Sequence, residues 1–271
     1  MISKISAIVF LLFYPSFLIA QTNSDFQDAQ SVALSNAVCA SSGLINPASM
    51  SLSEFSYFSL SYENKYITKE LSSTTFVGLY KFNFIDFSLL ANYFGYEYYN
   101  RMHFSLNVSK FLFDRFVLGL RFGYSSFYFS SESGRSDLVD ISLGGIYRIN
   151  EYLQLGLSAS NLLKARLDKN YDPLTLNTPT RIDVGLDYKV LEEMHLYFQV
   201  SKSSQSDFMI HFGSEYILNN TISLRFGFSG SPFSPSFGTG LFFDKFELAV
   251  AALYNLKLGI SPCVSLKYIW Q

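Results

Sequence analysis

Three histidines, His103, His195 and His211, are the residues of this 271-residue chain best suited to proton transfer or metal binding. Hydrolysis of a lipid by such a histidine would need a serine partner within hydrogen-bond reach at a lipid-facing surface. All three histidines fall instead on the glycine-bearing faces of the strands derived below. No His-Glu metal cluster, nucleophile elbow or phosphate loop accompanies them. They read as interior hydrogen-bonding residues. The chain is expected to be no enzyme and to hold neither metal nor cofactor.

The same faces carry charge. Asp86, Asp140, Asp183, Asp187, Glu215 and Glu247 share them with Arg121, Arg148, Arg181, Lys189, Arg225 and Lys267. A charge-selective pore usually shows an excess of one sign, and neither sign dominates here. Charges withdrawn from water must be paired, so these residues are expected to form internal ion pairs that hold an inner segment against a wall. Two cysteines, Cys39 and Cys263, match no zinc spacing. In an exported chain they could bridge, or they could be two separate small apolar residues.

The elements that position these groups are strands. In RIDVGLDYKV, Ile182, Val184, Leu186, Tyr188 and Val190 alternate with Arg181, Asp183, Gly185, Asp187 and Lys189. In TISLRFGF, Ile222, Leu224, Phe226 and Phe228 oppose Ser223, Arg225 and Gly227. Period two of this kind marks strands with one apolar face. It predicts fourteen of them: 54–62, 73–82, 84–94, 102–112, 115–128, 137–148, 152–161, 180–190, 193–202, 207–217, 221–229, 235–243, 245–254 and 261–270. Short connections are expected to alternate with longer ones, as in a transmembrane barrel with short turns at one rim. The longest, 162–179, is expected to fold over the barrel mouth.

The faces have opposite characters. Gly119, Gly123, Gly144, Gly156, Gly185, Gly213, Gly227, Gly238 and Gly240 all lie on the polar side. Glycine weakens a strand, so its repeated use on one face implies that something must fit against that face. The apolar face, rich in Phe and Tyr, suits lipid. The last strand, CVSLKYIWQ, sends Val264, Leu266, Tyr268 and Trp270 outward. This row resembles the assembly signal of outer-membrane barrels and implies that the last strand closes the barrel on the first.

The remaining composition agrees. Aromatic residues make up 18% of the chain and charged residues 15%, with a net charge of −2, so no basic surface for nucleic acid is present. Met1–Lys4 followed by the apolar run Ile5–Ile19 and Ala20 reads as a secretory signal peptide, 1–20. Residues 21–53 do not alternate. Asn46 can cap a short helix with Pro47 at its first position, but the segment is too small to build its own core. It is expected to be a plug, inside a barrel formed by 54–271.

ALSNAVCASSGLINPASMS, with Asn46, Pro47 and Ala48, resembles the N-terminal plug of the FadL-like superfamily, which includes long-chain fatty-acid channels and PorV-like proteins of type IX secretion. GLSASNL, TPTRIDVGLDY and FGSEYILNNTISLRFGF extend the resemblance over most of the chain. It implies an all-β, antiparallel up-and-down barrel of about fourteen strands with a small plug, located in the outer membrane and in contact with its lipid. Two functions follow as expectations. One is passive transport or binding of a hydrophobic ligand, with Ile67, Leu71, Leu162, Leu163, Leu174, Leu176 and Phe233 forming an apolar mouth. The other is a scaffold barrel partnered by secretion-system proteins.

Overall fold

The computed structural model describes residues 26–130, 134–167, 178–230 and 232–270. The expected signal peptide and the centre of the longest loop, 168–177, lie outside these residues, Leu174 and Leu176 with it.

Fourteen antiparallel strands form a closed barrel in chain order. They are β1 Ser56–Asn64, β2 Ser72–Lys81, β3 Asp86–Gly95, β4 Tyr99–Leu112, β5 Phe116–Phe129, β6 Gly134–Arg148 and β7 Leu153–Arg166. The chain continues through β8 Arg181–Leu191, β9 Met194–Ser203, β10 Ser206–Leu218, β11 Ile222–Ser229, β12 Ser234–Phe243, β13 Phe246–Asn255 and β14 Gly259–Trp270. Every strand expected from alternation is present. The barrel closes by pairing β14 with β1, in a register running from Ser56 opposite Trp270 to Glu63 opposite Cys263.

Alternation sets the walls as expected. On β8, Asp183 and Asp187 are buried while Ile182, Val184 and Tyr188 are exposed on the outside. The outer surface is almost continuously apolar, with Leu89 62%, Leu157 56% and Phe237 58% exposed. Apolar patches on water-soluble monomers are far smaller than this. Exposed tyrosines gather at both rims. Tyr80, Tyr147, Tyr152, Tyr188, Tyr216 and Tyr268 lie toward the rim where β1 begins and β14 ends, and Tyr62, Tyr93, Tyr96, Tyr98, Tyr128 and Tyr254 toward the other. Two aromatic girdles around an apolar band are the pattern of barrels that face lipid.

The rims differ less than expected. The turns at the first rim are tight and use left-handed backbone, at Phe113 and Asp114, Asn219 and Asn220, and Asp244. Asparagine and aspartate tolerate that region and suit hairpin turns. At the opposite rim only 65–71 and 167–180 are long, while β9 and β10 are joined by just residues 204–205. β7 also runs to Arg166, past the expected end at residue 161. A bulge allows this: Asn161 has φ 56°, its N–H donates to Ser142 Oγ at 3.0 Å, and pairing with β6 resumes beyond it. Leu162 and Leu163 therefore belong to a strand rather than to a loop.

Residues 26–53 lie inside the barrel. They contain one helical turn, α1 (Ala29–Ala33), and a 3-10 segment, Pro47–Leu52. Asp28 caps α1 by accepting from Ser31 N–H at 2.7 Å. Asn46 caps the second turn as its sequence suggested, accepting from Ala48 N–H at 3.0 Å with Pro47 at the first position.

Candidate functional site

The interior is built where the inner segment meets the inward faces of the strands. α1 packs on β13 and β14, where Ala29, Val32 and Ala33 meet Ala249, Ala251, Leu253 and Cys263. Small residues on both sides allow this close approach. Polar contacts fix the position: Ala29 N–H donates to Ser265 Oγ at 2.7 Å, and Ser236 Oγ donates to Ala33 O at 2.7 Å.

The segment then follows the wall. His211 Nδ1 donates to Ser35 O at 2.7 Å, and Cys39 N–H donates to Gln199 Oε1 at 2.9 Å. Arg121 Nη2 reaches Leu44 O at 2.6 Å, and Ser51 Oγ donates to Asp86 Oδ2 at 2.5 Å. Tyr197 packs with Leu34, Ala37, Val38 and Ile45. These partners lie on β10, β9, β5 and β3, so the contacts travel round the barrel rather than along its axis.

The inward glycines explain how the segment fits. A β-carbon at Gly238 would overlap Ala33, and at Gly227 or Gly213 it would press on Leu34. At Gly185 and Gly156 it would meet Cys39 and Ala40, at Gly144 Asn46, and at Gly119 Pro47 and Ala48. Seven of the nine glycines thus form a track on successive strands from β12 to β5, broken only at β9, where Tyr197 packs instead. The other two make room within the wall, Gly123 for Asp140 and Gly240 for Ser223 and Arg225.

Asn46 is the most connected residue of the segment and is fully buried. Its Nδ2 donates to Cys39 O at 2.7 Å and approaches Gly145 O at 3.3 Å and Leu157 O at 3.4 Å, tying the two arms of the segment to each other and to β6 and β7. Asn46→Ala removes this amide and with it all of these contacts. It is expected to cost about 2–3 kcal/mol, measured as a lower denaturant midpoint for the folded barrel in lipid vesicles.

The charges pair, but not as expected. Arg225 joins Glu215 at 2.7 Å and Glu247 at 3.3 Å, and Lys267 joins Glu247 at 2.7 Å. Tyr197 donates to Glu215 at 2.9 Å, extending this ladder across β9 to β14. Arg181 pairs with Asp183 at 2.8 Å, His195 lies 2.9 Å from Asp187, and Lys81 pairs with Asp86 at 3.0 Å. Lys189 turns to Glu192 in the adjoining turn, while Arg148 lies over the Phe111 ring at 4.7 Å. None of these pairs includes residues 26–53. Most of the ion pairs brace one strand against another, Arg181 and Asp183 both lying on β8, and mainly neutral hydrogen bonds hold the segment. The reason is compositional, since residues 26–53 hold one charged side chain, Asp28, and it caps α1.

The cysteines are free and buried in separate places. Cys39 lies against β7 and β8, while Cys263 lies on β14 beside α1. β8 is six strands from β14 around the barrel, so the considered bridge does not form. The histidines are interior hydrogen-bonding residues, with His103 at 2.8 Å from Ser125 Oγ. Sequence reasoning left Gln199, Ser236 and Ser265 unmarked, as well as Asn107 on β4, whose Oδ1 accepts from Arg121 Nε at 2.5 Å. Their inward parity was readable, but neutral polar residues carry no signal of their own.

At the rim with the long loops, Ile67 is 69%, Leu163 65% and Phe233 53% exposed, while Leu71 is half-buried. Tyr66 and Ile67 both have positive φ, of 57° and 54°. Ser261 Oγ steadies the turn by accepting from Tyr66 N–H at 3.1 Å.

No protein-family model and no curated protein matches the chain. Solved structures do. The toluene transporter TodX of P. putida is similar over 92% of this chain and 100% of its own, with a TM-score of 0.66 and 12% identity. The toluene transporter TbuX of Ralstonia pickettii covers the same shares, with a TM-score of 0.68 and 10% identity. The monoaromatic hydrocarbon channel CymD aligns over 90% of this chain and 97% of its own, with a TM-score of 0.65 and 10% identity. The chain shares the fold of these channels.

Proposed function

We propose that this chain is a FadL-like outer-membrane barrel through which a small hydrophobic molecule passes passively, with residues 26–53 acting as its plug. The observation that carries this reading is the occupied interior. A general porin needs a water-filled lumen, whereas here a segment buried from Val32 to Ala40 is hydrogen-bonded to the wall from β14 round to β3. The apolar outer wall and the two tyrosine girdles support insertion into lipid. The likeness to channels described as toluene transporters supports a small apolar cargo, and exposed Ile67 and Phe233 offer it an apolar mouth. The structural neighbours lend nothing to the second expectation, a scaffold barrel of a secretion system.

Proteoliposomes containing the protein are expected to take up radiolabelled toluene faster than empty vesicles and to show no osmotic swelling in arabinose. Rapid arabinose swelling, or toluene uptake equal to that of empty vesicles, would overturn the reading.

A further inference from the structure

We infer that residues 29–51 are an internal template for barrel closure, seated before β14 pairs with β1 and retained afterwards. The path of the segment carries this. Apart from Leu44, which reaches ahead to Arg121 on β5 and to Val77, Leu79 and Leu90 on β2 and β3, its contacts move in strand order from β14 at Ala29 to β12 at Ala33, β10 at Ser35, β9 at Cys39, β6 at Asn46, β5 at Ala48 and β3 at Ser51. Met50 continues the circuit to Val77 and Leu79 on β2, and Tyr57 on β1 donates to Met50 Sδ at 3.8 Å. The segment therefore makes a circumferential turn against the wall, and the chain links it to β1 through residues 52–55.

Two physical consequences follow. An unclosed sheet without the segment would present Gln199, Ser236, His211 and Arg121 without the segment's carbonyl, hydroxyl and N–H partners, and polar groups removed from water with partners missing oppose burial. With the segment in place, each inward face has a matching surface, and curling the sheet satisfies both. The glycine track also brings the segment within the contact distance of a β-carbon on seven strands, and its backbone on five of them. Entering a finished barrel would require the segment to wind through that space while the walls are already fixed. The inference concerns assembly and stands apart from the transport reading.

The two native cysteines supply the test. The full-length mature protein is refolded from urea into lipid vesicles and pulsed with N-ethylmaleimide. Unheated gel electrophoresis follows the closed form, and mass spectrometry follows each thiol. Cys39, which has no exposed surface once seated, is expected to be protected no later than the closed form appears. Closed barrels that accumulate with Cys39 still reactive would overturn the inference. A pair of variants gives an independent arm. Gly156→Leu blocks the track at Cys39 and Ala40, whereas Gly145→Ala adds a methyl on the outer face in ordinary contact with Phe116. Closure is expected to slow by about tenfold or more for Gly156→Leu and to stay within about twofold for Gly145→Ala. Equal closure rates for the two would also overturn it.

Discussion

Arg225→Ala is expected to destabilise the folded barrel by about 3–5 kcal/mol. The guanidinium is 2% exposed and lies between Glu215 and Glu247, each buried. Lys267 remains beside Glu247 in the variant, but Glu215 keeps only the Tyr197 hydroxyl. A carboxylate left in the interior without its cation costs far more than the pair itself contributes. The measurement is the denaturant midpoint in lipid vesicles. Adding Glu215→Gln to Arg225→Ala removes the orphaned charge and is expected to recover more than half of the loss. A loss below about 1 kcal/mol in the single variant, within the range of an exposed pair, would show that the ladder does not brace the wall.

Removing residues 268–271 is expected to lower the yield of heat-modifiable barrel by about tenfold or more, because each backbone group left unpaired in lipid costs several kcal/mol. Tyr268, Ile269 and Trp270 pair with Phe58, Tyr57 and Ser56, and Trp270 stacks on Phe58 with ring centroids 4.0 Å apart. Ile269 N–H also donates to Lys245 O at 2.7 Å. Without these residues the first rim keeps an open strand edge on both β1 and β13. We propose further that the outward row Val264, Leu266, Tyr268 and Trp270 is what the assembly machinery reads. Tyr268→Ala and Trp270→Ala, which keep the backbone pairing, separate the two roles: loss of yield in cells with normal refolding in vitro is expected. Normal yield in cells would confine the terminus to strand pairing.

The barrel itself was written in the sequence. Alternation is a local property with a period of two residues, and here it is nearly unbroken, so strand number and the facing of Asp183, Arg225 or Val264 could be read directly. The strand ends could be read less well. β6 begins at Gly134 rather than near residue 137, and β7 continues to Arg166, because a bulge at Asn161 lets a strand outlast its alternation. The glycines showed that something fits against the inward face, since a repeated loss of side chains on one face has no local explanation.

What fits against each glycine was decided only by the tertiary structure. Gly227 meets Leu34 and Gly156 meets Cys39 because the inner segment winds round the wall, and no period in the sequence encodes that path. Parity likewise placed Cys39 and Cys263 inside without placing them together. Facing is set by one strand, whereas distance across the lumen is set by position around the ring. Ion-pair partners followed the same rule. Glu247 lies inward by its own strand's alternation, but its choice of Arg225 and Lys267 depends on the registers of β11, β12, β13 and β14 together, which no single strand's pattern fixes.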